Sequence, residues 1–264
     1  MTTALGIDIG GTGIKGALVN TVTGELISNR IKVATPAGGE PEAIVQIVRG
    51  IIDQLGGVDA GVPVGVCFPA IVIAGKTMSA ANVSKKWIGL EAEKLFEAGL
   101  GRNIHFVNDA DAAGVAEQRY GAAKDVKGLV ILTTLGTGIG TALIYNGVLI
   151  PNSEFGHMEM GGKDSERQAS NAARERYRLS WSRWAKRLQR YYSMLEALFS
   201  PDLFIVGGGV SKSHAHFLPL LSLKTKIVPA ALRNNAGILG AAALAADGNA
   251  VVIEPPTQTS PLDS

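Results

Sequence analysis

The segment Asp8-Ile9-Gly10-Gly11-Thr12-Gly13, with Lys15 two residues on, combines glycines, a hydroxyl, an amine and a carboxylate. Glycines free backbone N–H groups and let a polyanion come close, which phosphate binding requires. Thr12 adds a hydroxyl, Lys15 a positive charge, and Asp8 a carboxylate able to hold Mg²⁺ through water. A plain hairpin turn would have the same composition. The segment is not a P-loop, because Gly-x-x-x-x-Gly-Lys-Ser/Thr is absent. Nor is it the helix-opening Gly-x-Gly-x-x-Gly, because the β-rich stretch 14–19 follows it. It does have an echo: Gly11-Thr12-Gly13-Ile14 matches Gly136-Thr137-Gly138-Ile139, and Ala17-Leu18-Val19 then matches Ala142-Leu143-Ile144. A repeated turn between matching strand remnants points to a duplicated unit. The copies differ at chemically meaningful places, with Asp8 facing Thr133 and Lys15 facing Gly140. Two such turns from facing lobes would clamp a phosphate chain, the second through Gly136, Thr137, Gly138 and Gly140.

Three other segments carry chemistry. In Asn108-Asp109-Ala110-Asp111 an apolar run delivers Asp109 to a strand end, where ligand clefts of α/β sheets lie. A carboxylate beside a hydroxyl nucleophile could there accept the proton as phosphate leaves its donor. A helix N-cap role suits Asp equally well. Glu154-Phe155-Gly156-His157-Met158-Glu159 gathers two carboxylates and an imidazole, compatible with hydrogen bonding to a polyol, a metal site or a solvated loop. Metal ligation is under-supplied, since His105, His214 and His216 lie in unrelated contexts. Gly207-Gly208-Gly209, followed by Ser211-Lys212, is either an opening for a ligand or a tight β–α connection.

The elements that must position these residues are legible from periodicity. Residues 4–9, 14–19 and 25–33 read as strands around two turns. A helix follows, with Ile44, Ile47, Val48, Ile51, Ile52 and Leu55 on one face and Pro41 in its first turn. Then come a strand at 62–68, a short helix at 90–98, a strand at 104–107 and an Ala-rich helix at 109–120. The pattern restarts with strands at 129–135, 139–145 and 148–150, the last two joined by Asn146-Gly147. Helices at about 164–176 and 180–198, a strand at 204–206 and a helix at about 237–246 complete it. The expected architecture is α/β with two lobes: residues 1–108, onto which the helix at 237–247 packs back, and residues 109–236. Residues 248–264, containing Pro255-Pro256 and Pro261, are expected to be a disordered tail.

Composition narrows the class. The 264 residues are 46% apolar but only 6% aromatic, so an Ala/Val/Ile/Leu core of the helix-flanked α/β kind is expected. A net charge of +2 makes no case for a nucleic-acid partner. Cys67 alone permits neither an intramolecular disulfide nor a Cys-rich zinc module. Without a basic leader or an apolar run near the ~18 residues of a membrane span, a cytoplasmic protein is expected.

Together these segments resemble the sugar kinases of the ROK family (repressors, open reading frames and kinases) in the hexokinase–actin superfamily. Gly-Ile-Asp-Ile-Gly-Gly-Thr-Gly-Ile-Lys-Gly is similar to the family's first phosphate motif, Leu135 to Gly140 to its second, and Gly207–Gly209 to the segment near the nucleotide. Ala81-Asn82, Asn108-Asp109 and Glu154-Phe-Gly-His157 resemble its sugar contacts, and the matches run in order to about residue 246. The resemblance implies duplicated RNase H-like lobes around a central cleft. One departure stands out: residues 161–178 lack the cysteines of the family's zinc loop, so no zinc is expected. That absence, with Asn-Asp-Ala-Asp-Ala-Ala-Gly and Ser-Ala-Ala-Asn-Val-Ser-Lys-Lys-Trp, resembles the family's actinobacterial polyphosphate-using glucokinases.

That branch implies phosphorylation of glucose at its 6-hydroxyl from polyphosphate, and often ATP, with Mg²⁺ and in a homodimer. It implies Asp109 as general base, with Asn82, Asn108, Asp109, Glu154, His157 and Glu159 as glucose ligands. Gly207, Gly208, Gly209 and Lys212 would serve the nucleotide. An ATP-only glucokinase, or a kinase of another hexose such as mannose, is the nearest rival. A ROK repressor would need a helix-turn-helix where only Met1–Thr3 precede the first strand. An exopolyphosphatase would not need the Glu154–Glu159 cluster. Lys163, Arg167, Arg174, Arg176, Arg178, Arg183, Lys186, Arg187 and Arg190, against only Asp164, Glu166 and Glu175, form a basic strip. It could attract polyphosphate electrostatically, or be a solvated helix face or a dimer surface.

Overall fold

Strand β1 (Thr3–Gly10) is buried on both faces: Leu5, Ile7 and Ile9 enter one apolar cluster, while Ala4 enters another. With a side-chain period of two, that is why the run reads as continuously apolar. β2 (Gly13–Asn20) returns antiparallel, in a register that places Asp8 opposite Lys15 and Gly10 opposite Gly13. The computed structural model describes residues 2–80 and 83–248; Asn82 and nearly all of the expected tail lie outside them.

The single strand expected at 25–33 is two, β3 (Glu25–Leu26) and β4 (Ile31–Val33), both paired with β2. Val19 pairs with Leu26 but Gly16 pairs with Ile31, so three steps along β2 face five along the partner. The cause is local. The Leu18 N–H donates to Ser28 Oγ at 2.9 Å instead of to a strand carbonyl, and residues 27–30 bulge out.

Helix α1 (Pro41–Gln54) covers one face of this sheet with Ile44, Val45, Val48, Ile51 and Ile52. β5 (Val64–Phe68) runs parallel to β1 and leads to a small unanticipated hairpin, β6 (Val72–Ile73) and β7 (Lys76–Thr77). The hairpin turns on Ala74-Gly75, both at positive φ. α2 (Ala92–Leu100) ends at left-handed Gly101, and β8 (His105–Asn108) completes the order β3-β2-β1-β5-β8. β8 feeds directly into α3 (Asp109–Tyr120).

The restart is real. β9 (Leu129–Leu135), β10 (Ile139–Tyr145), β11 (Val148–Ile150), β12 (Leu203–Gly207) and β13 (Lys226–Pro229) form a second sheet in the order β11-β10-β9-β12-β13. In each sheet the opening strand has an antiparallel hairpin partner on one side and a parallel strand on the other. This is the duplicated RNase H-like α/β architecture. β13, a four-residue edge strand ending in Pro229, was not anticipated.

The helix expected at 164–176 breaks into α4 (Glu166–Ala169) and α5 (Asn171–Arg176), because Ser170 turns extended and its side chain accepts from the Ala173 N–H. α6 (Trp181–Phe199), capped by Ser180, buries Trp184, Leu188, Tyr191, Tyr192 and Leu195. α7 (Ala236–Ala246) packs on β1 and β5 and against α3, which in turn packs on β9 and β10. Small residues permit this close layering: a Cβ on Gly65 of β5 would lie 1.9 Å from the Ala241 carbonyl oxygen. Among the described residues, no helix is long and apolar enough to cross a membrane.

Candidate active site

Asp109 is the first residue of α3, not its cap. The cap is Asn108, whose Oδ1 accepts from the N–H groups of Ala110 at 2.8 Å and Asp111 at 3.0 Å. Asn108 Nδ2 donates to the Ala70 carbonyl at 2.9 Å, so this buried amide, expected at the sugar, braces the junction of β8 and α3. The cap is thus made without the Asp109 carboxylate, which stands at the N-terminus of α3.

It faces a pocket of about 190 Å³ whose walls include Asp8 and Lys15 of the first hairpin, Thr134 of β9, and Gly207–Gly209 at the end of β12. Lys15 Nζ lies 2.7 Å from Asp8 Oδ2, with both side chains mostly buried. Burial pushes the Asp109 carboxyl up to about 7, and the nearby Asp8 charge adds to the shift, against the Ala110 N–H. Asp109 nevertheless keeps part of its surface open to the pocket. Asp111, two residues on, is also held at about 7 by burial, although its Oδ2 accepts from the Asn152 N–H at 2.8 Å. Burial likewise raises the Cys67 thiol, 3.8 Å from Asp8 Oδ1, so it stays neutral beside this cluster.

Gly208 sits at φ +79, and a Cβ there would lie 2.6 Å from the Leu135 carbonyl oxygen. Only glycine lets the end of β12 lie this close to β9. Lys212 is exposed on the 3-10 segment Gly209–His216 and does not line the pocket.

The second glycine turn also stands apart from this pocket. The Gly136 carbonyl accepts from the Ala172 N–H at 3.0 Å, and Glu166 Oε2 accepts from the Ile139 N–H at 3.3 Å. Glu166 thus joins the Glu154–His157 segment, where His157 Nε2 lies 3.9 Å from Glu154 Oε2 and Nδ1 lies 3.4 Å from Asp164 Oδ2. Burial raises the Glu154 carboxyl, His157 opposes that shift and Glu166 reinforces it. Glu159, expected at the sugar, accepts from the Gly162 N–H at 3.2 Å within its own loop. Sequence reasoning missed Glu166 because no local motif marks it; it stood as one of three acids in the basic strip.

His157, Asp164 and Glu166 place one potential ligand atom each within 4.8 Å of one another. One imidazole and two carboxylates fall short of a closed four-ligand structural zinc site.

A larger cavity of about 430 Å³ lies along β8 and includes Asn108 and Asp111 in its lining. Among the described residues no lysine or arginine lines it, whereas Lys15, Arg233 and the Gly207–Gly209 opening line the smaller pocket.

The ROK family profile matches residues 4–174. The chain is 48% identical over 238 residues to a polyphosphate glucokinase of Mycobacterium tuberculosis, covering 90% of this chain and 89% of that one. Among solved structures it superimposes on an inorganic polyphosphate/ATP-glucomannokinase from Arthrobacter with a TM-score of 0.90 and 51% identity, covering 93% of this chain and 99% of that chain. A ROK glucokinase from Streptomyces griseus, in complex with glucose and AMPPNP, gives a TM-score of 0.79 at 25% identity, covering 93% of this chain and all of that one.

Proposed function

The chain belongs to the ROK family, and from that premise we propose that it transfers a phosphoryl group from inorganic polyphosphate or ATP to the 6-hydroxyl of glucose. One observation carries this reading: the Asp109 carboxylate, at the start of α3, opens onto the pocket walled by Asp8, Lys15 and Gly207–Gly209. Such a pocket holds a phosphate chain against a proton acceptor.

Glucose binds between lobes 1–108 and 109–236, its hydroxyls held by Glu154, His157 and Glu166. Asp109 accepts the 6-hydroxyl proton as that oxygen attacks the terminal phosphorus and the donor's bridging oxygen leaves. Asp8 and Asp109 bring two carboxylates to one pocket, oxygen donors of the kind a hard divalent cation takes. Asp8 is the residue that would hold Mg²⁺, which supplies charge neutralisation for the donor's phosphates. Exclusion of water by closure of the lobes limits hydrolysis of the donor.

The basic strip divides. Arg174 lies over Trp181 at 4.2 Å, and Arg187 bonds the Gln168 carbonyl while stacking on Tyr177; both are structural. Arg183, Lys186 and Arg190 are exposed on α6 at spacings that share a face. That face is the surface that guides long polyphosphate to the site.

A panel of ATP and polyphosphates of several lengths, each with glucose, mannose and N-acetylglucosamine, tests both statements. Wild-type protein should make glucose 6-phosphate with both donor types. Replacing Arg183, Lys186 and Arg190 together by Ser should raise KM for long polyphosphate roughly tenfold and spare ATP. No transfer to glucose from any donor would sink the proposed reaction. Equal effects on both donors would remove the guiding role of α6.

A homodimer accounts for Tyr145, Val148 and Ile150, exposed on the β10–β11 hairpin at the open edge of the second sheet. Sedimentation should return twice the monomer mass for wild type and the monomer mass for Val148→Lys. A monomeric wild type would overturn it.

A further inference from the structure

We infer that Arg233 is the side chain that grips the donor's phosphates in this pocket, and that the buried carboxylate of Glu117 positions it. The inference rests on the phosphoryl-transfer reading above and assigns a residue to the donor side of that site. The donor pocket has two cations in its walls, Lys15 and Arg233. Lys15 is already neutralised by Asp8 at 2.7 Å. The Arg233 guanidinium makes no hydrogen bond or ion pair with any described residue, and the residue is exposed at the pocket mouth. A phosphoanhydride chain entering beside Asp8 and Asp109 needs a positive partner, and the planar guanidinium fork matches two non-bridging oxygens at once.

The backbone shows that this placement is built. Arg233 sits at φ +52, in the left-handed region that non-glycine residues seldom adopt. The chain is pinned on both sides of it. Glu117, fully buried on α3, accepts from the Leu232 N–H through Oε1 at 2.8 Å and from the Ala231 N–H through Oε2 at 3.1 Å. The same Oε2 accepts from the Ala122 N–H at 2.7 Å. Beyond Arg233, Arg30 Nη1 donates to Asn235 Oδ1 at 2.7 Å.

A carboxylate in the core is tolerated when its oxygens are hydrogen-bonded, and here two of its three donors belong to the loop that carries Arg233. Asp109 opens α3 and Glu117 lies two turns further along it. One rigid helix therefore sets both the proton acceptor and the loop that presents the donor's cation. Glu117 acts only through Arg233, as a positioning residue.

The phosphoanhydride chain is common to ATP and polyphosphate, so loss of this contact weakens both, unlike loss of the α6 face. Binding of inorganic tripolyphosphate with Mg²⁺, followed by calorimetry, reads the contact without turnover. Arg233→Ala should weaken binding roughly tenfold or more and raise KM for both donors, with KM for glucose within about twofold of wild type. Arg233→Lys, which keeps the charge but not the fork, should recover part of the loss. Glu117→Gln puts an amide N–H against a backbone N–H and should show the same donor-selective defect. Combined with Arg233→Ala it should add nothing further, because the two residues act as one unit.

If Glu117→Gln fails to fold, Arg233→Ala alone decides the assignment. Unchanged tripolyphosphate affinity in Arg233→Ala, or no binding by the wild type, overturns it. A wild type that binds tripolyphosphate but phosphorylates no sugar overturns the glucose reading instead, and the comparison with Arg233→Ala still tests this contact.

Discussion

Asp109→Asn should lower kcat for glucose phosphorylation roughly a hundred- to ten-thousandfold while glucose still binds. The substitution keeps the shape of the side chain and removes its capacity to accept a proton. Because Asn108 supplies the helix cap, the start of α3 does not depend on the Asp109 carboxylate. The pH dependence is a sharper signature. Burial and the Asp8 charge hold the Asp109 carboxyl at about 7, so the acceptor is lost as pH falls through that value. The wild-type kcat/KM profile should have an acid limb near pH 7, and any residual activity of the Asn variant should lack it. Asp109 and Asp111 interact, so the limb reports the pair.

Stability should move in the opposite sense. The folded pKa of about 7 lies above the ordinary 3.8, so the folded state binds the proton more tightly than the unfolded chain. Stability is therefore fullest below about pH 4 for this group and declines as pH rises toward 7. Asp109→Asn removes that penalty and should melt higher than wild type at pH 8. Substantial residual kcat, or a lower melting temperature at pH 8, would refute the assignment of Asp109 as the base.

The framework of this fold was legible because its elements are long and their periods clear. The echo of Gly11-Thr12-Gly13 at Gly136-Thr137-Gly138 announced the duplication that the two sheets display. What escaped was decided by contacts remote in sequence. The β3–β4 bulge exists because one serine hydroxyl replaces a strand carbonyl, and β6, β7 and β13 are too short to show a period. Asp109 could be weighed as cap or as base, and only the neighbouring Asn108 amide shows that it is not the cap. Glu166 reaches the site because α4 folds back on the second glycine turn, which faces that carboxylate and not the donor pocket. Arg233 stood in a stretch with no period at all, and its role emerges only from the two clamps around it.

The largest loss of stability should come from one methyl group. Gly65→Ala on β5 would put a Cβ 1.9 Å from the Ala241 carbonyl oxygen and 2.4 Å from its carbon, both backbone atoms of a buried helix. Rotation of a side chain cannot relieve this, so α7 must move. α7 cannot move alone: Gly6 meets the Ile238 carbonyl at 2.0 Å by the same measure, and Gly240 meets that of Ala112 in α3 at 1.7 Å. A cost at the upper end of overpacking, about 3 kcal/mol, is expected. For a chain of this size that corresponds to a fall in melting temperature of roughly 6–12 °C.

Gly50→Ala is the control, because a Cβ there meets nothing within 4 Å on helix α1 and should stabilise by about 0.5–1 kcal/mol. The same chemical change thus carries opposite signs at two positions. Equal melting temperatures for the two variants would show that α7 tolerates displacement. The effect should also reach the site, because α7 begins beside the donor pocket and Gly237 packs on Asp8, where a Cβ would lie 2.9 Å from the carboxyl carbon. At a temperature where Gly65→Ala remains folded, its KM for both donors should rise more than its KM for glucose. The displaced helix packs through Gly237 on Asp8 of β1 and so shifts that wall of the pocket, whereas Glu154, His157 and Glu166 stand on the segments that follow β11.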